Sequence, residues 1–243
     1  MAPIDINNQN IDSVTVNGTD VQEITVDGDV VFTAVPDLPT TNLHANYDFS
    51  EESGTMPVQD RSGNGFDLDV GDYSGVTSTI NGVQAGRFVT DDRVSIDAAD
   101  YTSLSPPFTA YMVLELNNSS LRQSCMQLGA PRPLVEFRPG SDGWRTVFSG
   151  NNLDTNNFDS SYQVISTKVE SSSATMMLED NTFSTSTTGQ DSTAIAIGGL
   201  DGARYIDGAI GQMLVYDDSH DYTTGIGADV LSFLSNKWGV TTV

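Results

Sequence analysis

From residue 42 to residue 216 the chain repeats one pattern. Short runs of alternating apolar and polar residues are each closed by Gly, Pro, Asn or Asp. A period of two is the signature of half-buried strands, and the closing residues are those that supply turns. The runs are Leu43–Ser50, Phe66–Val70, Gly82–Ile96, Phe108–Leu116, Ser124–Leu128, Leu134–Arg138, Trp144–Ser149, Tyr162–Glu170, Ala174–Glu179, Ala194–Gly199 and Ile206–Tyr216. Helical spacing first occurs near the C-terminus, where Val230, Leu231, Leu234 and Trp238 form one stripe on a helix from about Gly225 to Lys237. Thr223 or Thr224 is positioned to cap it, and Gly239 to end it. Many short strands with one late helix predict an all-β sandwich rather than an α/β or helical fold.

Three further segments set the organisation. Ser13–Ala34 holds β-rich runs separated by Asn17-Gly18 and Asp27-Gly28, dipeptides suited to tight hairpins. It reads as a three-stranded meander with Val14, Val16, Val21, Ile24, Val26, Val30 and Phe32 on its apolar face. Such a face is too small to stabilise a domain alone. The domains expected are therefore a β-meander over 1–35 for anchoring or oligomerisation, a proline-bearing linker over 36–41, and a sandwich over 42–243. Within the sandwich, Pro139–Gly143 reads as a hairpin and Gly150–Ser161 as a polar loop.

The stretch Gln59–Gly71 is a tight polar turn followed by Phe66, Leu68 and Val70 with aspartates between them. Together with the strand before it and the run after it, this closely resembles the opening of laminin-G-like domains of the concanavalin A-like jelly-roll superfamily. Ile210–Gly239 is similar to the closing strand, acidic turn, short helix and Lys-Trp-Gly of such domains. The fold expected is thus a concanavalin A-like jelly-roll sandwich with one short C-terminal helix and a small N-terminal meander. Residues 16–32 resemble the short β-modules at the ends of tail and other virion proteins of tailed viruses.

Charge narrows the setting. The net charge is −23, all but seven of the 33 acids are aspartate, and Lys168 and Lys237 are the two lysines among ten basic residues. Repulsion on this scale opposes compaction at low ionic strength, but at about 1 M salt the screening length falls to roughly 3 Å. This composition is that expected of a protein working in concentrated salt. Nucleic acid is disfavoured as a partner, since no basic stripe is present to replace phosphate counterions. Cys125 is alone, which excludes an intramolecular disulfide. The first residues lack the basic and apolar regions of a signal peptide, and no apolar run approaches membrane-spanning length. Synthesis in a host cytoplasm is expected, without membrane insertion.

Catalysis finds little support. Retaining glycosidases use two carboxylates about 5–5.5 Å apart, which sandwich-fold glucanases supply from one strand by Glu-x-Asp-x-Glu spacing. Glu115 stands alone in its strand, and Glu136 is followed by Phe137 and Arg138 rather than by a second acid. His44 reads as a strand residue and His220 as a solvated turn residue, neither near a nucleophile in a known arrangement. The laminin-G-like resemblance implies Ca²⁺ at a sandwich rim, for which Asp60, Asn64, Asp91, Asp92, Asp217 and Asp218 are candidate ligands. Solvated turn aspartates are the plainer reading in so acidic a chain. For a sugar ligand the candidates are Trp144 as a stacking platform with Arg145 and Asp142, and Tyr205 with Arg204.

The expected function is that of a virion structural protein of a salt-adapted tailed virus. It would be a homo-oligomer, attached to other virion proteins through residues 1–35 and displaying a lectin-like, non-enzymatic sandwich to host-surface glycans. A cellular carbohydrate-binding or adhesion module of a halophile is the alternative. A divergent sandwich-fold glycan hydrolase is third.

Overall fold

The computed structural model describes residues 36–241 apart from 53–55, 74, 76, 90–91, 98, 118–119, 130–133, 140–142, 148–151, 156–163, 179–180 and 199–204, together with the backbone of four short strands between residues 15 and 33. Those four are β1 (Thr15–Val16), β2 (Thr19–Asp20), β3 (Glu23–Val26) and β4 (Asp29–Thr33). β1 pairs with β2 and β3 with β4, in two separate antiparallel sheets. Among the described residues the segment expected to form a meander holds two antiparallel strand pairs, and residues 21–22 between them lie outside those described. The apolar face expected for this segment lies outside the described side chains.

The strands that follow are β5 (Leu43–Asp48), β6 (Val70–Asp72), β7 (Ser78–Ile80), β8 (Val83–Phe88), β9 (Arg93–Ser95), β10 (Phe108–Leu116) and β11 (Gln123–Gln127). After them come β12 (Leu134–Arg138), β13 (Gly143–Val147), β14 (Asn152–Asp154), β15 (Val164–Val169), β16 (Ser173–Leu178), β17 (Asn181–Ser186), β18 (Ala196–Ile197) and β19 (Gly208–Tyr216). Helix α1 spans Gly225–Trp238. The first large sheet runs β17-β16-β15-β10-β19-β8-β7, with β5 also paired to β19. The second runs β14-β13-β12-β11-β18-β9-β6. Every pairing is antiparallel. The all-β sandwich with a single C-terminal helix is therefore the observed fold.

The two sheets enclose one core, and α1 makes another on the outer face of the first sheet. From β10, Phe108, Ala110, Met112 and Leu114 enter the inter-sheet core, while Tyr111 and Val113 point to the helix. From β19, Met213 and Val215 go inward, while Leu214 and Tyr216 join Val230, Leu231, Leu234 and Trp238 of α1. Burial on both faces explains why β10 and β19 read as nearly continuous apolar runs. Gly211 sits at a register shift, between Val113↔Gln212 and Leu114↔Ile210. A Cβ placed on it would stand 2.9 Å from the Trp238 ring, so a bare backbone is what lets the indole lie over the strand. Trp238 then donates from Nε1 to Gln212 Oε1 (3.1 Å), whose Nε2 donates to Asn46 Oδ1 of β5 (2.9 Å).

Thr224 takes the N-cap position of α1 with extended backbone, but its side chain makes no cap bond. Asp221 collects Thr223 N (2.8 Å) and Thr223 Oγ1 (2.7 Å) instead. At the other end Gly239 adopts φ 62°, the left-handed conformation that closes helices. Lys237 in the last turn reaches back to Asp48 of β5 and ties the helix to the sheet.

The turn at Asp60 is architectural. Its Oδ1 accepts from Asn46 N and Ser62 N, both at 2.9 Å, and its Oδ2 from Ser62 Oγ (2.8 Å) and Phe66 N (3.1 Å). One carboxylate thereby clamps the loop to β5. The strand expected from Phe66 to Val70 is corrected. Leu68 makes an isolated bridge to Val58, and the strand proper starts at Val70. Phe66 and Leu68 are buried, but Val70 is 41% exposed and does not face the core.

Candidate carbohydrate-binding face

The chemistry of the second sheet follows from its alternation. Val135 and Phe137 of β12, Trp144 of β13 and Leu153 of β14 all enter the inter-sheet core. Their neighbours Glu136, Arg138, Arg145 and Asp154 therefore project from the opposite, outer face. Cross-strand register places Glu136 beside Arg145 and beside Ser124 of β11, and Arg145 beside Asp154. A row of polar side chains from four strands results.

Glu136 is its centre. The carboxylate is fully buried and is gripped by Arg122, with Nε to Oε2 at 2.9 Å and Nη2 to Oε1 at 2.8 Å. Arg138 donates from Nε to Oε1 at 2.7 Å. Burial alone would raise the pKa of this acid, but the two guanidiniums outweigh it and hold the group below the usual carboxylate range. Arg145 and Asp154 form a second forked pair, with Nη2 to Oδ2 at 2.8 Å. The arginines retain an open side: Arg122 is 33% exposed and Arg138 22%. Ser124, opposite Glu136, keeps a buried hydroxyl with no hydrogen-bond partner.

Of the residues anticipated for a sugar, Arg145 lies on this face. Trp144 does not, which corrects the expectation of an exposed platform. Its side chain is fully buried and packs edge-on against Phe137, ring centroids 5.2 Å apart. Tyr205 is partly buried, while Asp142 and Arg204 lie outside the described residues. Arg122, Glu136 and Arg138 were not anticipated as a site. Glu136 and Arg138 lie two residues apart on β12 while Arg122 comes from just before the neighbouring β11, a convergence visible only once register is known.

The cation candidates do not gather. Asp60 has its oxygens filled by four protein donors, and Asn64 gives its amide to the carbonyls of His44 (2.9 Å) and Leu43 (3.2 Å). Asp92 is buried and accepts from Val89 N at 3.1 Å. Asp217 is exposed, Asp218 accepts from Ser219 N (2.7 Å) and Asn42 Nδ2 (3.2 Å), and Asp91 lies outside the described residues. Among the described residues no three His, Cys, Asp or Glu side chains stand together as a metal site. Among the described residues these donors do not come together to fit a bound Ca²⁺.

Both histidines are inside or half inside. His44 is half-buried on β5, 4.7 Å from the Phe66 ring. His220, expected as a solvated turn residue, is buried between Tyr111 and Tyr216. Cys125 is fully buried, and burial pushes its thiol pKa up, as suits an inert core residue.

No protein-family model matches the sequence, and no curated protein matches it. Solved structures do. Domain 4 of AbnA, a GH43 extracellular arabinanase from Geobacillus stearothermophilus in complex with arabinotriose, is similar with TM-score 0.55 and 13% identity, over 78% of this chain and 98% of that one. Trypanosoma rangeli sialidase in complex with the inhibitor DANA gives TM-score 0.56 and 11% identity over 91% of this chain. The match covers 36% of the sialidase, so the chain spans about a third of that relative's length. At these identities the likeness is one of fold, a two-sheet antiparallel sandwich.

Proposed function

We propose that the chain is a glycan-binding β-sandwich that seats its ligand on the outer face of the second sheet. The observation that carries this reading is the set of three arginines around Glu136 and Asp154, held rigidly on a partly open face of a chain whose net charge is −23. Fixed polar groups on a regular scaffold are what recognition of sugar hydroxyls and acidic groups requires. The arabinanase domain of similar fold, solved with arabinotriose, supports the ligand class. Binding rather than hydrolysis is favoured because the Glu136 carboxylate is occupied by Arg122 and Arg138 instead of facing a second acid. Titration of the full chain with neutral and acidic oligosaccharides tests this. Failure of every sugar class to bind would sink it.

As to the bearer, lysine-poor acidity and the short β-rich N-terminal segment support a virion protein of a salt-adapted tailed virus. It would work as a homo-oligomer, attached through residues 1–35, with avidity compensating for weak single sites. A cellular adhesion module of a halophile fits the same sandwich about equally well. Capsid, portal or tail genes beside its gene distinguish the first, as does its detection in purified particles. Deleting residues 1–35 should leave the sandwich folded and abolish incorporation into particles.

A further inference from the structure

We propose that a cavity between α1 and the loop before it is a second ligand site, one that takes a neutral sugar residue by two adjacent hydroxyls. It belongs to the helix side of the first sheet, whereas the Glu136 face is on the second, so the two are separate. The cavity measures about 350 Å³ and is lined by Tyr222 and Thr223 of the loop and by Ala228, Leu231, Ser232 and Asn236 of the helix. That volume is of the order found for small-molecule sites, about 300–1,000 Å³.

Its walls follow from local sequence. A Cβ placed on Gly227, in the first turn of α1, would stand 2.1 Å from the Asp221 carbonyl oxygen. Glycine therefore lets the helix press directly on the loop, which brings Tyr222 and Thr223 against it. Tyr222 is fixed in place: Ser166 Oγ of β15 donates to its hydroxyl (2.8 Å), and its ring meets Tyr111 edge-on, centroids 6.1 Å apart. Buried Leu231 and half-buried Ala228 add apolar surface. A rigid aromatic and aliphatic wall suits the C–H face of a sugar ring.

The polar groups select a diol. Asn236 Nδ2 donates to the Ser232 carbonyl one turn back (2.8 Å), with a longer contact to Ser232 Oγ (3.5 Å). A carbonyl demands a donor, so the orientation of the amide is set and Oδ1 is the atom left to accept. Among the described residues neither Oδ1 nor the Ser232 hydroxyl proton has another partner. An acceptor and a donor thus stand together on one exposed helix face, at positions i+4 and i. Adjacent hydroxyls of a sugar offer the matching pair, one donating to Asn236 while its neighbour accepts from Ser232. Ser235 also lines the cavity, but its hydroxyl donates to Val240 O (2.7 Å).

Charge selects against an acid. The lining residues are all uncharged, in a chain of net charge −23. Asp221, whose carboxylate takes Thr223 N and Oγ1, and exposed Asp229, next to Ala228 in the chain, flank them. Lys168, with Nζ 6.0 Å from the centre of the Tyr222 ring, has Glu170 as its counter-ion at 3.9 Å. A carboxylate-bearing sugar is repelled from such a place and a neutral one is not.

Amide chemical shifts of the isotope-labelled full chain, titrated with maltotriose, arabinotriose and trigalacturonate, test the proposal. A neutral trisaccharide should move the amides of Thr223, Ser232 and Asn236, and trigalacturonate should leave them in place. Asn236→Leu should raise the Kd of the neutral sugar about five- to tenfold, the factor of one hydrogen bond, with the melting temperature kept. Thr79→Ala, on the edge strand β7, should change nothing. Equal movement with trigalacturonate overturns the proposal, as does a Kd that neither Asn236→Leu nor Ser232→Ala alters. Shifts confined to the surroundings of Glu136 also overturn it and leave glycan binding on the second sheet standing. If none of the three sugars moves any amide, the proposal falls and the glycan-binding reading is weakened with it. The comparison of neutral and acidic sugars uses the unmodified chain, so it holds even if a variant fails to fold.

Discussion

Tyr111 of β10 and His220 share a 2.8 Å hydrogen bond between Oη and Nδ1, inside the aromatic layer that joins the first sheet to α1. Tyr216 lies 4.6 Å from the imidazole, centroid to centroid, and the Nε2 atom is buried without a partner. Burial lowers the pKa of His220 from its ordinary 6.5, Asp218 pulls it back up, and Lys168 lowers it again. Burial likewise lowers that of His44, opposed by Asp217, the Thr102 backbone and Asp60. A depressed histidine stays neutral in the folded chain and takes a proton in the unfolded one below about pH 6.5. Its stability contribution is therefore full above that pH and declines as pH falls. The urea midpoint should drop between about pH 7.5 and 5.5, and a His44→Gln, His220→Gln variant should respond less. An unmodified chain with a flat profile over that window would contradict the assignment.

Glu136 makes a stability test separate from the ligand test. Glu136→Gln keeps the shape and removes the charge that compensates Arg122 and Arg138. Breaking fully buried pairs costs roughly 3–5 kcal/mol, but here the arginines face water in part, so about 2 kcal/mol is expected. Equilibrium urea unfolding measures it, and a neutral result would mean that the cluster is balanced by solvent.

Gly211 and Trp238 are packed too closely for a methyl group between them. Gly211→Ala should destabilise by about 1–3 kcal/mol through overpacking, and near-ultraviolet circular dichroism of the indole should shift with it. Glycines with open space, such as Gly82, test conformation instead, because its φ of 86° strains any side chain.

Salt should act on the whole molecule. With a net charge of −23, the melting temperature should climb from about 0.1 to 2 M NaCl as repulsion is screened. Indifference to salt over that range would remove the argument for halophilic adaptation.

β5, β12, β15 and β16 were legible because a period of two survives in their letters, and β10 and β19, buried on both faces, because they read as nearly continuous apolar runs; all six are found close to their expected places. β7, β14 and β17 were not legible. They are short or polar edge strands such as Asn181–Ser186, where half the side chains meet water and no apolar rhythm is needed. The helix stood out because Val230, Leu231, Leu234 and Trp238 must share one face, and all four are buried. The candidate site was only half legible. Alternation says that Trp144 and Arg145 point opposite ways but not which points out, since that depends on the partner strands. A search for acids spaced along one strand also passes over Glu136, whose partners come from Arg122 at the head of β11 and Arg138 in its own strand.

The position of β19 has a consequence for how the molecule is made. It is the last strand of the chain, yet β5, the first strand of the sandwich, pairs with it, as do β8 and β10. Asn46 and Gln212, hydrogen-bonded in the finished protein, are 166 residues apart. On the ribosome the first strand must wait, unpaired, until almost the entire domain has emerged, and closing so long a loop makes folding slow. During that wait the same excess of aspartate that burdens the folded state keeps nascent chains from adhering to one another.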